Sequence, residues 1–200
     1  MRELVAELYE ILKSRSLRLG DFTLTSGAKS KYYYEGKAST LSPRGSRLVG
    51  EVIYRMIIEL GVEAVGGLTM GADFMVTAVT VVSDLHGRPI YGFVVRDGQK
   101  EHGTRKLIEE SYHPDGQSLL RPGMRVAIVD DVVTKGGSML TAIDAVREKE
   151  CEIAAVVTLV DRGAGGGDKI RERGLPYFPL FHADSEGTLT LDDHLARLVG

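Results

Sequence analysis

Apolar residues gather in four dense, β-branched runs along this chain: VEAVGGL at 62–68, PIYGFVVR at 89–96, RVAIVDDVV at 125–133 and EIAAVVTLVDR at 152–162. Runs of that length, bounded by glycine, proline and charge, predict buried strands. Between most of them the pattern changes to helical spacing, over about 43–60, 72–85 and 138–149. The opening segment MRELVAELYEILKSR likewise sets Leu4, Val5, Leu8, Tyr9 and Leu12 on one helical face. Strand alternating with helix predicts an α/β fold, an open and mainly parallel sheet with helices on both faces. Two stretches break the rhythm. Residues 20–40 carry short tyrosine-rich segments and predict a small irregular lobe, a hood to which residues 1–40 and the C-terminal helix contribute. Residues 97–121 are long, polar and studded with Gly, His and Pro, and predict a mobile functional loop closing as a lid. The turn Arg121-Pro122-Gly123 then returns the chain to the third apolar run.

A length of 200 residues fits one domain, 1–200, with a core of ordinary size. Composition narrows the ligand. The chain is 43% hydrophobic and 26% charged with a net charge of -3, so it has no global attraction for nucleic acid or an anionic membrane. Any anion must be held by a local cluster of cations and amides, and the substrate is expected to be small. The single cysteine, Cys151, excludes an intrachain disulfide framework and fits a reducing compartment. With no apolar run of membrane-spanning length and no signal-peptide pattern at the start, a cytoplasmic location is expected.

The most informative segment is VAIVDDVVTKGGSMLTAIDAV at 126–146, a strand running into two acids, a glycine pair and a helix. Met139, Leu140, Ile143 and Val146 give that helix an apolar face, which places Gly137 and Ser138 in its first turn. Unpaired amides there, with the helix dipole behind them, favour an anion. Gly136 and Gly137 admit a phosphate without side-chain collision, and Thr134 and Ser138 add hydroxyl donors. Carboxylates beside a phosphate repel it unless they face another part of the ligand, and Asp130 and Asp131 at a strand's carboxyl end suit sugar hydroxyls. Either acid alone could instead cap a turn or make a buried hydrogen bond. The full string of two acids, Thr, Gly-Gly and Ser is costly if nothing binds there. No GxxxxGK[ST] string occurs, and GAGGGD at 163–168 lacks the last glycine of GxGxxG, which argues against nucleoside-triphosphatase and dinucleotide chemistry.

The string IVDDVVTKGGS resembles the phosphoribosyl-pyrophosphate signature of the type I phosphoribosyltransferases. That resemblance implies that Asp130 and Asp131 contact the ribose hydroxyls. It implies further that Val132 and Val133 line the phosphoribosyl-pyrophosphate site and that the turn Thr134, Lys135, Gly136, Gly137 and Ser138 holds the 5′-phosphate. Three more segments are similar to the orotate-specific branch. FTLTSGAKSKYYYEGK at 22–37 places Lys29, Ser30, Tyr33 and Tyr34 where that family builds the floor of its orotate pocket, with Thr134 also near the base. A tyrosine-rich hairpin packing on the domain is the plain alternative. FVVRDGQKEHGTRKLIE at 93–109 resembles the entry to the catalytic loop, with Arg96, Lys100 and His102 matching and Asp97 where a lysine is usual. GGLTMGAD at 66–73 resembles the turn that contacts pyrophosphate, with Met70 where some members carry lysine and Phe74 where proline is common; Thr25 also stands where some members have lysine. VDR at 160–162 puts Arg162 where the family pairs an arginine with the carboxylate of orotate, a task suited to a planar guanidinium.

The resemblance implies a Mg²⁺-dependent glycosyltransferase (pentosyltransferase) that makes orotidine monophosphate and pyrophosphate on the route to UMP in pyrimidine biosynthesis. It implies Arg96, Lys100, His102 and Asp131 as the catalytic set and Mg²⁺ held mainly through the substrate. It also implies a homodimer in which loop 97–121 reaches the partner's site. Two alternatives stay open at this point: a transferase for another base, and a non-catalytic regulator that senses phosphoribosyl pyrophosphate.

Overall fold

The computed structural model describes residues 1–23, 29–98, 107–112 and 116–199. In chain order its elements are α1 (Arg2–Ile11), β1 (Leu17–Thr23), β2 (Lys29–Tyr34), α2 (Gly36–Thr40), α3 (Pro43–Ile57), β3 (Ala64–Leu68), α4 (Asp73–Leu85), β4 (Tyr91–Val95) and β5 (Ile108–Glu110). There follow β6 (Arg125–Val133), α5 (Gly137–Arg147), β7 (Glu152–Asp161), α6 (Gly166–Glu172), β8 (Tyr177–Ala183), β9 (Leu189–Leu191) and α7 (Asp193–Val199).

Seven strands form the main sheet in the order β5-β4-β3-β6-β7-β8-β9, parallel throughout except for the antiparallel β5 and β9 at its borders. The reason is visible in β6, where successive side chains enter opposite cores. Val126 and Ile128 pack with Met139, Ile143 and Val146 of α5, while Ala127 and Val129 face Leu48, Ile53, Met75 and Val79 of α3 and α4. Both faces are covered, so each central strand reads as a continuous apolar run. The chain runs outward from β3 to β4 and β5, then returns to lay β6 on the other side of β3. That reversal opens a crevice between the carboxyl ends of β3 and β6, where open α/β sheets bind their ligands.

Several elements differ from the expectation. The N-terminal lobe is regular: β1 and β2 form an antiparallel pair, Leu17 opposite Tyr34 and Thr23 opposite Lys29, with an irregularity between Leu19 and Phe22. Its buried Tyr32 and Tyr34 join Val5, Leu8 and Leu12 of the N-terminal helical segment in the same core that lies under α3 and α4. The segment 97–121 is not irregular throughout. Ile108–Glu110 pairs with β4, and Tyr112 bridges to Ser118, because Ile108 and Leu119 bury apolar side chains under that edge. Strand β8 was hidden in YFPLFHA, whose central proline argues against a strand.

Helices α3 and α4 touch at a glycine. A methyl group on Gly50 would lie 2.6 Å from the Ala78 carbonyl oxygen, so the helices would have to separate. Alanine favours a helix over glycine by about 1 kcal/mol. Overpacking against backbone costs about 1–3 kcal/mol, so Gly50→Ala is expected to lower the melting temperature, and calorimetry that found it raised would contradict this packing.

Candidate active site

Strand β6 carries Asp130 and Asp131 to the crevice. Asp130 is buried, its Oδ1 accepting the Asp131 backbone N–H at 3.0 Å. Glycines from two other elements close over the pair. A Cβ on Gly71, in the turn between β3 and α4, would sit 2.5 Å from Asp130 Oδ1 and 2.9 Å from Asp131 Oδ1. One on Gly36, at the start of α2, would sit 2.5 Å from Asp131 Oδ2. Only glycine lets these backbones approach the carboxyls so closely. Burial, and then the charge of Asp131, push the Asp130 carboxyl well above its ordinary range. Asp131 is also raised, chiefly by burial, with Lys37 opposing the shift. Lys37 is held by Glu35, Nζ to Oε1 at 2.8 Å, and its ammonium is raised first by that partner and further by Asp131.

After β6 the chain forms a cavity of about 120 Å³ lined by Asp130, Val132, Val133, Thr134, Lys135, Gly136, Gly137 and Ser138. Gly136 is left-handed at φ 78°, which turns the chain into α5, and no side chain caps that helix. The amides of its first turn are therefore offered to the cavity. Beside this loop Arg162 leaves β7, its backbone N–H donating to the Val133 carbonyl at 3.0 Å. Its guanidinium reaches the hood: Nη2 donates to Ser30 Oγ at 3.0 Å, Nε to Tyr32 Oη at 3.1 Å, and Cζ lies 4.4 Å from the Tyr32 ring centre. The arginine thus joins the tyrosine segment, 130 residues away in sequence, to the sheet.

The structure brings Asp130, Asp131, the loop 132–138, Arg162 and Ser30 to one end of the sheet. It treats the tyrosines differently from the expectation. Tyr32 is the ring against Arg162. Tyr34 is in the core, its hydroxyl without a hydrogen-bond partner among the described residues and its pKa raised by burial, because β2 alternates and sends residues 32 and 34 inward. Tyr33, on the opposite face, is partly exposed and packs on Phe22, ring centres 5.7 Å apart. Lys29 lies exposed at the start of β2. Arg96 follows β4 and pairs through Nη1 with Glu109 Oε1 at 3.1 Å, while its Nε is buried without a partner among the described residues. Met70 is exposed at the β3–α4 turn, and Thr69 Oγ1 donates to Asp73 Oδ2 at 2.8 Å beside it. Lys100, His102 and Thr25 lie outside the described residues. Sequence reasoning gave no role to Tyr32, Gly36, Lys37 and Gly71, although all four lie inside the quoted strings 22–37 and 66–73, because only the folded chain shows what they touch.

The family model for the phosphoribosyl transferase domain matches residues 90–174. Orotate phosphoribosyltransferase of Aquifex aeolicus is 41% identical over 178 residues, which covers 88% of this chain and 93% of that protein. The Streptomyces coelicolor protein of the same name is 38% identical over 188 residues, covering 94% and 99%. Among solved structures, Mycobacterium tuberculosis orotate phosphoribosyltransferase in complex with 5-phospho-alpha-D-ribosyl 1-diphosphate superposes with a TM-score of 0.69 at 36% identity, covering 88% of this chain and 94% of that one.

The raised carboxyls set a pH dependence. A folded-state pKa above the unfolded value of 3.8 means the folded protein binds the extra proton, so the stability it confers is complete below pH 3.8 and is lost as pH rises through the folded value. Ligand-free Asp130→Asn is therefore expected to melt higher than the parent at pH 8, with the gap closing toward pH 4. Equal melting temperatures at both pH values would show that the acid is not penalised.

Proposed function

The chain belongs to the orotate phosphoribosyltransferase family, and from that premise we propose how its residues divide the work. The enzyme transfers the phosphoribosyl group of phosphoribosyl pyrophosphate to orotate, giving orotidine monophosphate and pyrophosphate for pyrimidine biosynthesis. The observation that carries the division is the meeting, at the reversal of the sheet, of an amide-lined cavity, an acid pair with one member buried and a guanidinium just past the next strand.

In this reading the first turn of α5 and the hydroxyls of Thr134 and Ser138 hold the 5′-phosphate. Asp130 and Asp131, as carboxylates, accept hydrogen bonds from the two ribose hydroxyls, which offset the cost of keeping them charged out of water. Arg162 takes the carboxylate of orotate in a two-pronged pair, already oriented by Ser30 and Tyr32. Lys29 and Tyr33 border the base, and Tyr34 supports the pocket from the core. As the bond from the anomeric carbon to pyrophosphate breaks, positive charge grows on that carbon, and the ring nitrogen of orotate attacks from the opposite face. Rate acceleration comes from alignment and from stabilising the leaving group. Arg96, freed from Glu109, and Lys100 neutralise pyrophosphate, and His102 can give it a proton.

Among the described residues no group of three or more His, Cys, Asp and Glu side chains could hold a metal. Two adjacent acids facing a ribose fit Mg²⁺ that arrives on the diphosphate and keeps most of its waters. Bound there, Mg²⁺ would offset charge on the leaving pyrophosphate. We infer a homodimer from the family, in which loop 97–121 serves the partner's site; exposed Leu41, Val81 and Leu85 supply apolar surface for association. No helix among the described residues is long and apolar enough to cross a membrane, and a cytoplasmic enzyme is proposed.

The test offers purified protein, Mg²⁺ and phosphoribosyl pyrophosphate with orotate, uracil, hypoxanthine and adenine in parallel. Only orotate is expected to be consumed; turnover of another base instead, or of none, would overturn the reading. Arg162→Ala is expected to raise KM for orotate by about tenfold to hundredfold, the scale of a lost charged hydrogen bond. Lys100→Ala should lower kcat far more than it weakens orotate binding, and an unchanged kcat would remove this lysine from the reaction.

A further inference from the structure

The glycine run at 163–167 has no part in the division of work above. It leaves β7 after Arg162 and enters α6, and on the way its backbone lies against the outside of the phosphate loop. The Gly166 N–H donates to the Thr134 carbonyl at 3.0 Å. A methyl on Gly166 would lie 2.6 Å from that oxygen, 2.6 Å from a Val133 methyl and 2.7 Å from the Gly136 nitrogen. The approach is mutual, since a methyl on Gly136 would be 3.1 Å from Gly166 Cα. Further along α6, Lys169 Nζ donates to the Lys135 carbonyl at 3.3 Å. Thr134, Lys135 and Gly136 are thus each touched from behind.

The far side of the run is anchored as well. Buried Asp161 accepts the Gly163 N–H on Oδ1 at 2.9 Å and the Tyr177 hydroxyl on Oδ2 at 3.0 Å. Gly167 lies so close that a Cβ there would be 2.5 Å from the same Oδ2. The run is therefore a fixed backing, tied to β7 and β8, rather than a free turn.

We propose that Gly166, with Lys169, is a positioning element for the donor's 5′-phosphate, setting the height of loop 134–136 so that the amides at 136–138 converge on the anion. Amides that point at one spot repel one another until an anion arrives, and no side chain caps α5 to hold them. A backing that fixes the loop beforehand spares the ligand that ordering. Contacts to two carbonyls turn those oxygens away from the anion, leaving the N–H groups toward it. The proposal rests on the functional reading above for the identity of the donor.

Steady-state kinetics and ribose 5-phosphate titration calorimetry of Gly166→Ala, Lys169→Met and Lys169→Arg test it. Displacement of the loop by a fraction of an ångström or more is expected to raise KM for phosphoribosyl pyrophosphate and Kd for ribose 5-phosphate about tenfold to hundredfold in Gly166→Ala, with kcat and orotate KM within about threefold of the parent. Lys169→Met should show a smaller rise in the same two constants, and Lys169→Arg should restore most of it. Parental donor KM in Gly166→Ala overturns the proposal, as does a proportional loss in kcat and both KM values, which a general loosening of the fold would produce. Should Gly166→Ala fail to fold, the lysine pair decides, and unchanged donor constants in Lys169→Met overturn it. A parent that consumed no orotate would defeat the functional reading instead, while ribose 5-phosphate binding would still judge the backing.

Discussion

Two neighbouring carboxyls at the end of a central strand, one buried and one half-buried, are the constraint around which this molecule is arranged. Desolvation and mutual repulsion make Asp130 and Asp131 unfavourable as a charged pair. Their surroundings nevertheless fit them closely: glycines from two turns lie against their oxygens and one lysine offsets part of their charge. Hydroxyl groups of a sugar would satisfy such oxygens without bringing a second charge into the same space. In the proposed function, a ligand that offered such hydroxyls would lift a cost already present in the folded chain, and affinity would depend on the sugar as well as on the phosphate.

The sheet supplies the geometry for this. By reversing direction between β3 and β6, the chain leaves its carboxyl ends open at one place and brings Gly71 from one half against the acids of the other. The hood then reaches over through Tyr32 and Ser30 to Arg162. The acids, the glycine turn, the guanidinium and the tyrosine segment are in this way drawn from β6, α5, β7 and β2, elements held in register by one shared hydrophobic core and its counterpart across the sheet.

The central strands, the helices on both faces and the glycine turn after β6 were legible in the sequence because each has a local cause. Period and β-branching mark β3, β6 and β7, and the glycine pair at 136–137 has few uses outside a tight anion cradle. Two other strands were not legible: Ile108–Glu110 is too short and too polar to stand out, and β8 is interrupted by Pro179. In the hood the motif was visible but its facing was not, since three consecutive tyrosines alternate sides and only the register of β2 on β1 decides that 32 and 34 turn inward. The part played by Gly36, Gly71 and Gly166 was beyond the pattern altogether, for a glycine's reason to exist lies in whatever approaches it from another element.

The borders of the main sheet have a consequence of their own. Each side ends in an antiparallel stub of only three residues, Ile108–Glu110 on one flank and Leu189–Leu191 on the other. So short a fringe presents few free amides and carbonyls as a template for a stray extended segment. The long, strongly apolar β6 and β7, the sequences in this chain with most to gain from stacking between molecules, are kept in the interior with neighbours on both sides. Protection against edge-to-edge pairing is in this respect a property of the fold's outline, separate from the chemistry performed at its centre.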